Sequence, residues 1–200
     1  MQVRERTTTQ TPHTSDRLLA QQSLAGDQRA FETLVRRYST PLFTFICRFL
    51  GDYDQACDIL QQVFLQLYLC LPNLRTDDPL KAWLFQVARN RCLDELRRKR
   101  AIHFSELERV NDDDEFSSLA ALPDPDPLPE DWVERRDLQA CLQQAIGTLP
   151  PKFRAVVLLR YAAQLSFAEI GQVLQMPEAT AKTYFQRAKP LLRATLTGQA

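Results

Sequence analysis

Apolar residues recur along most of this chain at spacings of three and four, the signature of amphipathic helices, in two blocks at about 15–100 and 132–195. In the first block, Ser15 or Asp16 is placed to cap a helix running through Leu24 and ended by Gly26. Asp27 caps a second helix, whose Phe31, Leu34, Val35 and Tyr38 share one side. Pro41 predicts a kink or short break before a segment at 43–50, which Gly51 ends. Asp54 is the expected cap of a third helix reaching about Leu71. Its apolar side is Ala56, Ile59, Leu60, Val63, Phe64, Leu67 and Tyr68, opposite a polar surface of Asp58, Gln61, Gln62 and Gln66. Four such helices around one interior make an all-α domain.

The fourth helix, at 79–100, changes character without a break in helix-forming residues. Leu80, Trp83, Leu84, Val87 and Ala88 fall on one side, and Asn90, Arg91, Asp94, Arg97 and Arg98 continue that side toward the C-terminus. Cations there complement the helix dipole, and Arg and Asn also suit phosphates and base edges. The second block carries Trp132, Leu138, Leu142 and Ile146 up to Gly147. Leu149-Pro150-Pro151 then starts a helix bearing Phe153, Val156, Val157, Leu159 and Tyr161. Ser166-Phe167-Ala168-Glu169 spells a capping box opening a short helix to about Leu174. Gln175-Met176-Pro177 turns the chain into a helix at 178–189, which exposes Thr180, Lys182, Thr183, Gln186 and Arg187. A short helix, a three-residue turn and a polar-faced second helix is the helix-turn-helix layout. Pro190 predicts a kink or end for that last helix.

Charge separates the two blocks. Residues 1–104 hold fifteen Lys/Arg against eleven Asp/Glu, 105–137 hold three against twelve, and 138–200 hold seven against two, which leaves the whole chain neutral. The acidic middle contains Pro123, Pro125, Pro127 and Pro129, so regular helix is disfavoured and an extended, hydrated linker is expected. The resulting division is a tail at 1–14, a helical domain at 15–104, an acidic Pro-rich linker at 105–131 and a helix-turn-helix domain at 132–196. The linker is either a plain solvated connection or an imitation of a nucleic acid backbone.

The rest of the composition argues against enzyme chemistry. Five cysteines include no CxxC pair, and two histidines, His13 and His103, allow no HExxH site. Five scattered glycines form neither a P-loop nor GxGxxG. No catalytic residue, metal site or cofactor is expected. The polar first fourteen residues lack the apolar segment of a signal peptide, and no run is long enough to span a bilayer, so a cytoplasmic protein without membrane insertion is expected.

Leu149-Pro-Pro-Lys-Phe-Arg154, the 165–170 segment LSFAEI and the 180–188 segment TAKTYFQRA resemble region 4 of the sigma-70 family. The 58–64 segment DILQQVF and the 82–94 segment AWLFQVARNRCLD resemble region 2. Their order, with no region 3 domain between them, is that of the extracytoplasmic-function group. The resemblance implies an RNA polymerase sigma factor, with Asp58, Gln61, Gln62 and Phe64 against the clamp helices of the largest subunits. Leu74, Arg75, Lys81 and Asn90 would accept a flipped base of the minus-ten element, and Arg91, Asp94, Arg97 and Arg98 would meet the adjoining strands. Thr180, Lys182, Thr183, Gln186 and Arg187 would enter the major groove at the minus-thirty-five element. The implied partners are core polymerase, including its flap, promoter DNA and an anti-sigma factor, with the linker in the RNA exit path. Three positions depart from the family pattern: Gln62 replaces a common Glu, Ala181 a common Val, and Tyr184 stands where a basic or small residue is frequent. An autonomous helix-turn-helix regulator would use the second block alike but leaves the 79–100 helix unexplained. A structural adaptor would need neither cationic surface.

Overall fold

The computed structural model describes residues 15–73, 79–107 and 140–197. Residues 1–14, the loop residues Leu74 and Arg75, residues 108–131 of the expected linker, Trp132, Leu138 and the C-terminal 198–200 lie outside them, and residues 105–107, expected to begin the linker, instead continue the helix that starts at Leu80. The described residues form helices only: α1 (Asp16–Leu24), α2 (Gln28–Leu50), α3 (Tyr53–Cys70) with a short 3-10 turn (Leu71–Asn73), α4 (Leu80–Leu107), α5 (140–148), α6 (Pro151–Tyr161), α7 (Phe167–Leu174) and α8 (Glu178–Thr197).

The predicted punctuation mostly stands where the sequence puts it. Ser15 accepts the Leu18 amide at 3.3 Å and caps α1, which frees Asp16 to bond Arg37 and Tyr38 of α2. Burial and the Asp16 carboxylate push the Tyr38 phenol well above its usual pKa. Asp27 caps α2, and Gly51 closes it in the left-handed conformation at φ 77°. The cap of α3 is Asp52 rather than Asp54: it accepts the Gln55 amide at 3.0 Å, and Asp54 falls in the first turn.

Both proline expectations need correction as to helix ends. Pro41 lies inside the continuous α2, where no short break occurs, because Leu34, Tyr38, Leu42 and Phe45 are buried on both sides of it. That packing outweighs one missing backbone bond. Pro190 does not end α8, which runs on to Thr197. Pro190 and Gln186, whose carbonyl loses its donor, are both exposed, so water can replace the bond.

In the N-terminal half, α2 is the central helix and packs on α1, α3 and α4. Leu34, Leu42, Phe45, Ile46 and Phe49 share one buried interior with Val63 and Leu67 of α3 and Leu84, Phe85 and Ala88 of α4. Phe45 and Phe85 make an edge-to-face pair at 5.5 Å. In the C-terminal half, α6 and α7 both pack on α8, with Phe185 of α8 against Phe167 and Tyr161. The capping box of α7 forms in both directions: Glu169 receives the Ser166 amide at 2.7 Å and Ser166 receives the Glu169 amide at 3.2 Å. Gly171 permits the tight turn into α8, since a Cβ there would come within 2.7 Å of the Met176 carbonyl oxygen.

The halves are packed against each other. Helix α7 lies on α4, and α6 lies on α2 and α4, so the apolar cluster is continuous from one half to the other. Gln143 of α5 donates to the Arg48 carbonyl of α2 at 3.0 Å, and Arg154 of α6 donates through Nη1 to the Phe49 carbonyl at 2.7 Å.

Candidate nucleic-acid interface

Helix α4 places its side chains as its sequence predicts and adds a turn to the pattern. Leu80, Leu84, Val87 and Ala88 are buried and Trp83 is half-buried, with Ala82 and Phe85 also inside. Further along, burial moves round the helix to Cys92, with Leu93 and Leu96 packed against the core. The side vacated by that rotation carries Asn90, Arg91, Asp94, Arg97 and Arg98, all exposed. These residues are not loose. Asn90 receives Arg89 at 3.0 Å, Arg91 reaches Gln66 of α3 at 3.2 Å, Arg97 pairs with Asp94 at 2.9 Å and Arg98 with Glu95 at 2.6 Å. The Arg98 hydrogen bond holds the Glu95 carboxyl below its ordinary pKa. Lys99 lies 3.7 Å from Asp52. Lys81, at the start of α4, is half-buried beside α7, close enough to add to the hydrogen bonds from Ser166 that lower the Glu169 pKa. Leu74 and Arg75 are outside the described residues.

The second cationic surface belongs to α8. Its inner face buries Ala181, Phe185 and Ala188, and its outer face exposes Lys182, Thr183, Gln186 and Arg187, with Thr180 half-buried at the first turn. Lys182 pairs with Glu178 at 2.7 Å, and the Thr183 hydroxyl donates to the Ala179 carbonyl at 2.9 Å. Tyr184 is turned inward, edge-on to Phe153 at 5.4 Å and beneath the Lys152 ammonium at 5.5 Å. It packs the domain rather than facing the groove side. The α4 and α8 sets form two surfaces on two halves of the molecule, not one site.

A third surface lies on α3. Asp58, Gln61 and Gln62 are exposed on one side, whereas Phe64 is half-buried against the core behind them. Sequence reading missed the apolar part of this surface. Leu65 and Leu69 extend the Asp58–Gln62 side at helical spacing and are 59% and 64% exposed, and Tyr68, expected inside, is 61% exposed. The signal was present: Leu65 and Leu69 fall in line with the polar residues rather than with Val63 and Leu67.

Set beside known proteins, residues 34–102 match the family description Sigma-70 region 2, and residues 139–192 match Sigma-70, region 4. The ECF RNA polymerase sigma factor SigW of Bacillus subtilis is 32% identical over 171 residues, 86% of this chain and 91% of the relative. The chain belongs to the extracytoplasmic-function group of the sigma-70 family. The RNA polymerase sigma-H factor of Pseudomonas aeruginosa is 31% identical over 182 residues, covering 90% of this sigma factor and 93% of the relative. Among solved structures, CnrH in complex with the cytosolic domain of CnrY matches with a TM-score of 0.68 at 24% identity, over 92% of this chain and 99% of that one, a likeness of fold. No helix among the described residues is long and apolar enough to cross a membrane.

Proposed function

We propose that this sigma factor binds core RNA polymerase, reads the minus-thirty-five and minus-ten promoter elements, assists melting and so initiates transcription, with one helix face assigned to each task. The working domains are 15–104 and 132–196, joined by the acidic linker 105–131, with 1–14 as a tail. The α3 face of Asp58, Gln61 and Gln62, backed by Phe64 and extended by Leu65 and Leu69, docks on the clamp helices of the polymerase. Its mix of amides and exposed apolar groups suits a protein partner better than a phosphate backbone.

The start of α4 with the preceding loop takes the minus-ten element. Leu74, Arg75, Lys81 and Asn90 receive a flipped base, and Arg91, Asp94, Arg97 and Arg98 hold the adjoining strands. Unstacking a base costs a few kcal/mol and least in duplex already opening, so a pocket that traps the flipped base selects both sequence and melted state. The α8 residues Thr180, Lys182, Thr183, Gln186 and Arg187 read the major groove of the minus-thirty-five element, set at their angle by α7. The linker mimics nucleic acid in the RNA exit path, the helix-turn-helix domain also meets the polymerase flap, and an anti-sigma factor restrains the free protein in the cytoplasm. No cofactor or metal enters this scheme.

The observation that carries this reading is the presence in one chain of a capped helix-turn-helix and of the α4 helix that passes from core to exposed cationic surface. The test is transcription of fragmented genomic DNA by core bacterial RNA polymerase with and without the protein, mapping RNA 5′ ends. New starts sharing two spaced upstream motifs are expected. No new starts, together with polymerase-independent binding to a palindrome, would replace this reading by an autonomous regulator.

A further inference from the structure

Helix α4 carries a cation on a side that is otherwise apolar. Phe85, Arg89, Cys92 and Leu96 follow one another at spacings of four, three and four, so they share one stripe. Phe85 and Cys92 are fully buried, and Leu96 packs against the core. Arg89 is half-buried, and its Nε is shut off from solvent with no acceptor among the described residues. Burial, and after it the charge of Arg97, lower the Arg89 pKa. No carboxylate among the described residues pairs with it. A cation placed in this way costs stability, and a methionine would fill the same stripe without an unpaired N–H.

What the guanidinium does meet is Asn90. Arg89 Nη1 donates to Asn90 Oδ1 at 3.0 Å, an ordinary hydrogen-bond length. Adjacent helix positions do not face each other, so the long Arg89 side chain reaches round to the exposed Asn90. A guanidinium has only donors. The amide atom that meets it is therefore the oxygen, and Nδ2 with its N–H groups is left as the free end. The polar neighbours on that side do not compete for it: Arg91 reaches Gln66 of α3 at 3.2 Å, and Asp94 holds Arg97 at 2.9 Å. An unrestrained asparagine pairs with adenine through both ends of its amide, giving a hydrogen bond to N7 and taking one from the N6 amino group. With Oδ1 engaged, only the giving end remains. It fits a base edge of acceptors, such as N7 and O6 of guanine or O4 of thymine, and leaves the adenine amino group without a partner.

We propose that Arg89 is a positioning residue that fixes the Asn90 amide with its N–H groups outward, so that the base held at Asn90 is selected for acceptors and adenine is rejected. The inference rests on the sigma-factor reading above, which brings a flipped minus-ten base to Asn90. It also explains why a cation that no carboxylate neutralises stands on an apolar stripe.

The test uses the full chain with core polymerase on a promoter recovered from the transcription experiment. Each base in turn is set at the minus-ten position where 2-aminopurine brightens on opening. Wild type should favour its best base over adenine by about tenfold or more. Arg89→Met frees the Asn90 amide to turn, and Arg89→Gln offers it both a donor and an acceptor. Both should cut the preference to about threefold or less, mainly by gain on adenine. Arg89→Lys presents donors only and should keep it. Arg89→Met should melt no lower than wild type, because it removes a buried unpaired N–H; loss of base choice only together with loss of stability would assign Arg89 to the fold and overturn the proposal. If Arg89→Met fails to fold, which circular dichroism would reveal, Arg89→Gln still decides. Unchanged base preference in the folded variants would overturn the proposal, as would a wild-type preference for adenine or a loss in Arg89→Lys as large as in Arg89→Gln. The bond itself is read without DNA: in the free full chain, Arg89→Gln should shift the Asn90 side-chain N–H resonances, and unmoved resonances would overturn it. If no promoter is recovered at all, the sigma-factor reading falls while those resonances still decide whether Arg89 holds Asn90.

Discussion

The polar end of α4 and the outer face of α8 carry similar side chains in different states. On α4, Arg91, Arg97, Arg98 and Lys99 each have a partner, three of them carboxylates. On α8, Lys182 is paired with Glu178, but Gln186, Arg187 and Arg193 meet no carboxylate among the described residues. Exposed ion pairs are weak and exchange readily for phosphate, so pairing does not prevent the α4 arginines from binding DNA. It does orient them, and it leaves Asp94 and Glu95 to offset part of the charge they bring. Under the proposed assignment, the α4 set would meet a strand whose position is fixed by a flipped base. Under the same proposed assignment, the α8 set would bring Arg187, with no carboxylate partner among the described residues, to a groove on a helix seated by α6 and α7.

The sharpest way to break this contrast is to unseat α8 while leaving α4 alone. Gly171→Ala drives a Cβ against the Met176 backbone and should destabilise the helix-turn-helix half by about 1–3 kcal/mol, seen as early melting of that half and loss of minus-thirty-five binding. Arg187→Ala leaves the fold intact and should weaken promoter use by about 1–3 kcal/mol if the side chain reads a base. The loss should depend on the minus-thirty-five sequence, and unchanged promoter use would remove Arg187 from the interface. Ser166→Ala should cost about 1 kcal/mol in thermal unfolding by opening the capping box of α7; a loss confined to DNA binding would mean that the cap positions α8 without stabilising it. Arg98→Ala should reduce the slope of log affinity against log salt by about 1 and weaken all sequences alike. A sequence-dependent effect would erase the distinction drawn here between the two helices.

The smallest effect concerns pH. Arg98 lowers the Glu95 pKa in the folded state, so this pair contributes stability above the unfolded carboxylate value of about 4.3 and loses it as pH falls through the lower folded value. The stability difference between wild type and Glu95→Gln should therefore shrink to nothing on acidification. A difference that persisted would assign the effect to packing rather than to charge.

Much of this was legible from local pattern. Asp27, Gly51 and the Ser166–Glu169 box act within a few residues of themselves, and the α4 stripe follows from one helical period. The errors lie where tertiary packing competes with local preference. Pro41 and Pro190 each remove a backbone bond, but α2 is clamped along its whole buried side and the freed α8 carbonyl faces water. Asp52 takes the cap expected of Asp54 because the helix starts two residues earlier, at Tyr53. The exposed Leu65, Tyr68 and Leu69 were read, or passed over, as ordinary helix hydrophobics because apolar type alone does not distinguish an inner face from an exposed one. The Arg154 bond to Phe49 was invisible because nothing local connects residues 105 apart in sequence.

That separation has a consequence for how the molecule assembles. Closing a loop of about 105 residues costs on the order of 4 kcal/mol in chain entropy, a charge that falls on the seam between the halves alone, since each half can form from near neighbours. The seam should form last in folding and be the first place where amide hydrogens exchange with solvent, ahead of either interior. A chain that folds as two quick units and joins them late keeps its weakest boundary where its two functions meet.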